Sequence, residues 1–188
     1  AYLVPAIVWT REENSRVVVA TYTKALQQQL VDKDLPFLKS VLGDFRYALC
    51  VGGENYLCLR RFDSLRMGNL YEQSEIEPLN RLFAWSAMTR TGLKSELDVV
   101  PPPGLWAKAS RQADLCFGKD CSYYKDCFYQ KAKAFEAQAQ VLVANHHLFF
   151  ADMATGGNVL PQYRAVVFDE AHQVEDVATD YLGVEVTN

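Results

Sequence analysis

The stretch AVVFDEAHQVED, Ala165 to Asp176, decides how the chain is read. A short run of apolar β-formers ends in two adjacent carboxylates, Asp169 and Glu170, and a helical pattern follows. Burying a charge is expensive, so the pair belongs where the strand leaves the core. In open parallel sheets, ligands bind outside the carboxyl ends of the strands. An Asp there can hold Mg²⁺, and a neighbouring Glu can orient or deprotonate a water that attacks a γ-phosphate. The competing reading is that the two acids only begin a helix, whose dipole favours negative charge in its first turn.

Upstream, the same alternation of strand and helix recurs. The first residues, AYLVPAIVWT, read as a helix with Pro5 awkwardly inside it. Arg16 to Thr21 reads as a buried strand. Thr23 to Leu42 has helical apolar spacing with a break at Pro36. Phe45 to Val51 is a second strand candidate, closed by Gly52-Gly53, and Asn55 can cap a short helix from Tyr56. Ser74 to Thr91 is a longer helix, and Pro101-Pro102-Pro103-Gly104 marks a boundary. Tyr123 to Gln140 is helical by pattern. Val141 to Ala144 is a third strand, His146 to Met153 a short helix, 155–161 a loop, Ala165 to Phe168 a fourth strand, and the last helix runs to about Leu182. Strands alternating with helices imply an α/β fold with a parallel sheet. Residues 52 to 127 interrupt the rhythm without a strand and read as a helical insertion.

Bulk properties exclude some classes. The 188 residues suit one compact domain, or one with an insertion. Hydrophobic content of 49% with 22% charged residues is ordinary for a globular chain, and a formal charge of −4 does not mark a polyanion binder. Charge is uneven, however. Gly104 to Lys133 carries six Lys/Arg against three Asp, so it is net +3 and the remainder is −7. No apolar run approaches the roughly 20 residues of a membrane span, and the first residues are too short and lack the basic flank of a signal peptide.

Five cysteines, irregularly spaced, argue for metal or cluster binding rather than a disulfide framework. Cys116, Cys121 and Cys127 follow C-x4-C-x5-C, with Cys58 far upstream. Structural zinc usually takes pairs two to four residues apart. A 4Fe–4S cluster takes four thiolates, commonly three close together and one remote. Cluster, zinc and unligated thiols all stay open on spacing alone. Cys50, inside a strand candidate, reads as a small buried apolar residue. The rings of Trp106, Phe117, Tyr123, Tyr124, Phe128 and Tyr129 lie among the basic residues, the usual combination for single-strand binding. At least half of them are expected to pack a small domain instead.

In order along the chain, these elements resemble the XPD/DinG family of iron–sulfur superfamily 2 DNA helicases, nearest its bacterial DinG/YoaA branch. Val18-Val-Ala-Thr21-Tyr-Thr23-Lys24-Ala-Leu-Gln27 is similar to motif Ia, Asn55-Tyr-Leu-Cys58 to the segment carrying the first cluster ligand, and Cys116, Cys121 and Cys127 to the other three. Val143-Ala-Asn145-His146-His147-Leu148 resembles the stretch before motif II, and Val167-Phe168-Asp169-Glu170-Ala171-His172 resembles the DEAH-box motif II itself.

The resemblance implies a RecA-like parallel sheet, a partial motor domain made of residues 1–51 and 135–188, with an inserted, mainly helical iron–sulfur domain at 52–134. It implies a bacterial cytoplasmic ATP-dependent 5′–3′ helicase of repair or replication, with single-stranded and forked DNA as partners. Asp169 would hold the Mg²⁺ of Mg-ATP, and Glu170 would activate water. His172 would couple the nucleotide site to DNA, unless it is only a surface histidine beside a helix start. Thr21, Thr23 and Lys24 would contact DNA phosphates, with Thr23 also a helix cap. Cys58, Cys116, Cys121 and Cys127 would ligate the cluster.

The family's Walker A loop, ending in Gly-Lys-Thr/Ser, has no counterpart among these residues. The expectation is therefore a motor fragment, continued upstream by that loop and inactive as an ATPase by itself. Two alternatives remain: a non-catalytic single-stranded-DNA-binding iron–sulfur or zinc module, and a zinc-bound α/β protein unrelated to DNA.

Overall fold

The computed structural model describes residues 2–68 and 73–183. The chain divides into two compact units, Ala1–Val51 with Phe135–Asn188, and Gly52–Ala134.

The first unit is built on a four-stranded parallel sheet in the order β2-β3-β1-β4: β1 (Val17–Thr21), β2 (Tyr47–Leu49), β3 (Val141–Asn145) and β4 (Ala165–Phe168). β1 pairs with β3 from Val17↔Val141 to Thr21↔Asn145, and with β4 from Val17↔Ala165 to Ala20↔Phe168. Every residue of β1 is buried, as a central strand covered on both faces requires. Because side chains alternate, Val17 and Val19 face Ile7, Leu30, Leu35 and Phe45. Val18 and Ala20 face Phe149, Phe150 and Val177 on the other side. The result is a three-layer α/β arrangement, with α1 (Leu3–Glu12), α2 (Lys24–Gln29) and α3 (Leu35–Leu42) on one face and α8 (His146–Ala154) and α9 (Val174–Leu182) on the other.

Both prolines of the early helices are accommodated. Pro5 is the third residue of α1, where its missing N–H is among the groups without an intrahelical partner. Pro36 does not break the helix. The turn Leu30–Asp34 widens to a π-helical one, with the Leu35 N–H donating to the Leu30 carbonyl, and the helix continues as α3.

The second unit holds α4 (Leu59–Met67), α5 (Gln73–Ser86) and α6 (Pro103–Ala109), and most of α7 (Phe128–Glu136). Its core is Leu57, Phe62, Leu79, Leu82, Leu105, Trp106 and Ala109. Pairing here is limited, among the described residues, to the isolated bridges Tyr56↔Leu93 and Leu57↔Ser110.

Three local expectations are corrected. Asn55 caps no helix: its amide bonds Gly52 and Glu54, Tyr56 is in a bridge, and α4 starts at Leu59. Pro101–Gly104 is no boundary; Pro102 and Pro103 open α6, where a fixed φ suits the first turn. The helix expected over Tyr123–Gln140 shrinks to α7, because residues before Phe128 form successive turns and those after Glu136 lead into β3. No helix among the described residues is long and apolar enough to cross a membrane.

Candidate functional site

Asp169 and Glu170 stand at the carboxyl end of β4, next to that of β1. The Asp169 N–H donates to the Ala20 carbonyl at 2.8 Å, one residue beyond the last paired position. Both carboxylate oxygens of Asp169 accept bonds: Oδ2 from the Tyr2 hydroxyl at 2.9 Å, and Oδ1 from the Glu170 N–H at 3.2 Å. The Tyr2 hydroxyl titrates well above its usual range, chiefly because it is desolvated, then because it donates to Asp169, with the Asp34 carboxylate adding to the effect. Tyr2, Leu26, Gln29, Asp34 and Asp169 line a recess of about 130 Å³, so the Asp169 carboxyl is half-buried rather than sealed.

Glu170 is exposed and left-handed, φ 54° and ψ 47°. A non-glycine residue in that conformation costs about 1–2 kcal/mol, and such residues cluster at functional sites. Here the turn projects Glu170 out of the sheet edge before Ala171–Gln173 and α9 begin. His172 lies on the surface with 67% of its side chain exposed, its Nδ1 3.5 Å from Glu170 Oε2.

The segment after β1 lies at this same edge. Thr21 is fully buried, its hydroxyl donating to the Thr23 carbonyl at 3.3 Å. Thr23 caps α2 by accepting from the Leu26 N–H at 3.2 Å, and Thr23 and Lys24 are exposed. His146, the first residue of α8, is fully buried between these strand ends. Asn145 before it caps α8 by accepting from the Leu148 N–H at 2.7 Å.

At the opposite ends of the strands lies a larger recess of about 960 Å³, lined by Arg16, Arg46, Gln140 and Arg164 among others. Its cations are occupied: Arg16 donates to the carbonyls of Ala137, Ala139 and Gln162, and Arg164 pairs with Glu13. It acts as a clamp on the strand starts.

The cysteines of interest all lie in the second unit. Cys58 immediately precedes α4, Cys127 immediately precedes α7, and Cys116 and Cys121 sit in the loop between α6 and α7. Three contacts carry the helix begun by Cys58 to that loop. Arg60 donates to the Leu115 carbonyl at 2.6 Å and lies 4.0 Å over the Phe117 ring, and Asp63 accepts from the Tyr123 hydroxyl at 2.8 Å. The four thiols are free; Cys116 is exposed and the others are part-exposed, whereas Cys50 is buried in the first unit's core. Among the described residues, no three His, Cys, Asp or Glu side chains are grouped as one metal ion would need.

Most aromatics of this segment are committed to packing. Trp106 is buried and donates to the Glu54 carbonyl, Phe128 packs on the core, and Tyr129 lies under the Arg111 guanidinium. Phe117 stays 58% exposed. Lys119 and Lys125, on either side of Cys121, form no ion pair among the described residues.

Sequence reasoning missed Tyr2 and Asp34 beside Asp169. Tyr2 and Asp169 are 167 residues apart, and no spacing rule reaches that far. The DEAD_2 family model matches residues 114–188. Along its whole length, the chain is 35% identical to the ATP-dependent DNA helicase YoaA of Haemophilus influenzae and 37% identical to that of Escherichia coli. It is 34% identical to the ATP-dependent helicase DinG of Mycobacterium tuberculosis. The chain belongs to the XPD/DinG family. It spans about 30% of the length of the curated relatives it matches, and the stretches that resemble motif Ia and motif II lie on the end of β1 and start of α2, and on the turn after β4.

Proposed function

We propose that these residues form part of the motor of an ATP-dependent DNA helicase, with the β1 and β4 strand ends as its nucleotide- and DNA-facing edge. The observation that carries the reading is the acidic pair itself. Asp169 is held on β1 by its own amide while its carboxylate faces a recess, and Glu170 is thrown outward by a left-handed residue.

In this reading, Asp169 would hold Mg²⁺, which supplies charge neutralisation to the phosphates of ATP when bound. Glu170 would accept the proton of the attacking water as the γ-phosphoryl group leaves ADP. Thr23 and Lys24, exposed at the same edge, would meet the phosphates of single-stranded DNA. The buried Thr21 would support them through its bond to the Thr23 carbonyl.

The second unit would hold a 4Fe–4S cluster on Cys58, Cys116, Cys121 and Cys127. The donor set is four thiols, and Arg60 and Asp63 tether the Cys58 helix to the loop that carries Cys116 and Cys121. Three thiols close along the chain with a fourth remote suit a cluster better than the pairs two to four residues apart that zinc usually takes. The cluster would cross-link two distant chain segments, and Lys119 and Lys125 would offset its negative charge.

The test uses the 188-residue chain prepared anaerobically. Broad absorbance near about 400 nm with iron and sulfide, lost in Cys58→Ser, supports the cluster; a colourless preparation with stoichiometric zinc overturns it. Salt-dependent binding to an oligothymidylate, weakened in Lys24→Ala, supports the DNA-facing edge; binding that ignores salt overturns it. With no phosphate cradle among these residues, the chain is expected to turn over no Mg-ATP. Turnover abolished by Glu170→Gln would refute that expectation. The same missing cradle favours a second reading for these residues taken alone, that of an iron–sulfur module that binds single-stranded DNA without hydrolysis.

A further inference from the structure

His146 is a buried ionisable residue that the nucleotide and DNA roles above do not use. Its Nε2 lies 3.1 Å from the Ala20 carbonyl. A carbonyl only accepts, so this nitrogen carries the proton and Nδ1 does not. The same carbonyl receives the Asp169 N–H at 2.8 Å. One oxygen, on the residue before Thr21, thus joins the ends of β1 and β4 to the start of α8. The ring also packs against Tyr22 at 6.1 Å and edge-on against Phe168 at 5.7 Å. Its neighbours are therefore the residue inside the Thr21–Lys24 segment and the residue before Asp169.

A packing role alone would be served by an apolar side chain. Here the ring is fully buried, and among the described residues its Nδ1 has no hydrogen-bond partner, an arrangement that folded interiors usually avoid. What imidazole adds at this position is the Nε2–H donor on the Ala20 carbonyl, with the Asp169 backbone also near enough to favour the protonated ring. His172, by contrast, is on the surface, with its Nδ1 beside the Glu170 carboxylate.

We propose that His146 is the positioning residue of the acidic pair, and that it links Asp169 to the Thr21–Lys24 segment through the shared Ala20 carbonyl. A displacement of that segment by a bound nucleic-acid strand moves the Ala20 carbonyl, and with it the amide that sets the Asp169 carboxylate. This rests on the functional reading given above, that Thr23 and Lys24 face DNA.

The test is amide NMR of the ¹⁵N-labelled chain with an oligothymidylate, comparing the wild type with His146→Leu, which fills the space without a donor, and His146→Gln, which restores an N–H. His146→Ala serves as a second donor-less variant should the leucine variant fail to fold. In the wild type, the cross-peaks of Thr21–Lys24 move, and those of Asp169 and Glu170 move with them. In the donor-less variants the first group still moves and the second does not; in His146→Gln the second group moves again. Without DNA, the Asp169 amide exchanges with solvent about fivefold faster in the donor-less variants, the worth of one net hydrogen bond. The inference is overturned if Asp169 and Glu170 respond equally in all proteins, if they stay still in the wild type while Thr21–Lys24 moves, or if Asp169 exchange is unchanged by loss of the donor. A wild type whose Thr21–Lys24 peaks ignore the oligonucleotide defeats the DNA-facing reading and the link built on it, and the exchange measurement then decides the positioning role alone.

Discussion

Gly92 holds together the neighbours of two proposed cluster ligands, and its replacement by alanine should loosen both. The residue is left-handed, φ +66°, and a Cβ added there would overlap the ring of Phe128. Its carbonyl accepts the Leu57 N–H at 2.9 Å. Leu57 precedes Cys58 and Phe128 follows Cys127, so one position restrains two cysteines. An L-residue in this conformation costs about 1–2 kcal/mol, and displacing a packed ring costs about 1–3 kcal/mol more. The expected loss for Gly92→Ala is therefore about 2–5 kcal/mol.

For a unit of this size, each kcal/mol lowers the midpoint by roughly 4–8 °C, so a fall of roughly 10 °C or more follows. Thermal melts read by Trp85 and Trp106 fluorescence in a Trp9→Phe background report the second unit selectively, because only those two of the three tryptophans belong to it. The steric share can be isolated. Phe128→Ala empties the space the new methyl needs, so the double variant should be more stable than the sum of the two single losses. Gly92→Asn tolerates the backbone but keeps a Cβ, and it should recover only the conformational share. A Gly92→Ala midpoint within about 2 °C of wild type, or strict additivity with Phe128→Ala, would show that the close approach of Gly92 and Phe128 does not govern this unit.

Two further outcomes concern the first unit. Asp152 is buried, and its Oδ1 accepts the Val159 and Leu160 N–H groups at 2.6 and 3.0 Å, fixing the loop that launches β4. Asp152→Ala should cost about 3–5 kcal/mol in urea unfolding, at about 1.5–3 kcal/mol for each bond to the charged group; a loss under about 1 kcal/mol contradicts this. Burial holds the His146 imidazole below its ordinary value, outweighing the Ala20 and Asp169 backbone groups and the Asp169 carboxylate that pull it up; the neighbouring His147 lowers it further. The unfolded imidazole therefore takes its proton first, and stability should fall as pH drops below about 6.5, by up to about 1.4 kcal/mol per pH unit. Urea midpoints at several pH values, with His146→Gln as the reference, measure this; identical profiles for the two proteins would refute it.

Much of the fold was legible because its signals are local. Continuous β-branched runs, as in Val17-Val18-Val19, demand a strand covered on both faces. The capping residue Thr23 marks a helix start that the structure retains. The motif order placed Asp169 and Glu170 at a strand end, where they are found. Local rules failed where a tertiary partner changed the outcome. Asn55 looked like a cap but is held by Gly52 and Glu54 while Tyr56 pairs with Leu93. Pro36 looked like a break, yet a single π turn absorbs it.

The sequence by itself determined the alternation of strands and helices, the cysteine and carboxylate inventory, and the family, because each is written in short-range pattern and order. Only the tertiary structure decided that Tyr2 meets Asp169, that His146 and the Asp169 amide share the Ala20 carbonyl, and that Arg60 and Asp63 tether the Cys58 helix to the cysteine loop. Those contacts join residues 55 to 167 positions apart, brought together by the burial of apolar faces. That burial is non-directional, and no spacing along the chain encodes which polar groups it will leave side by side.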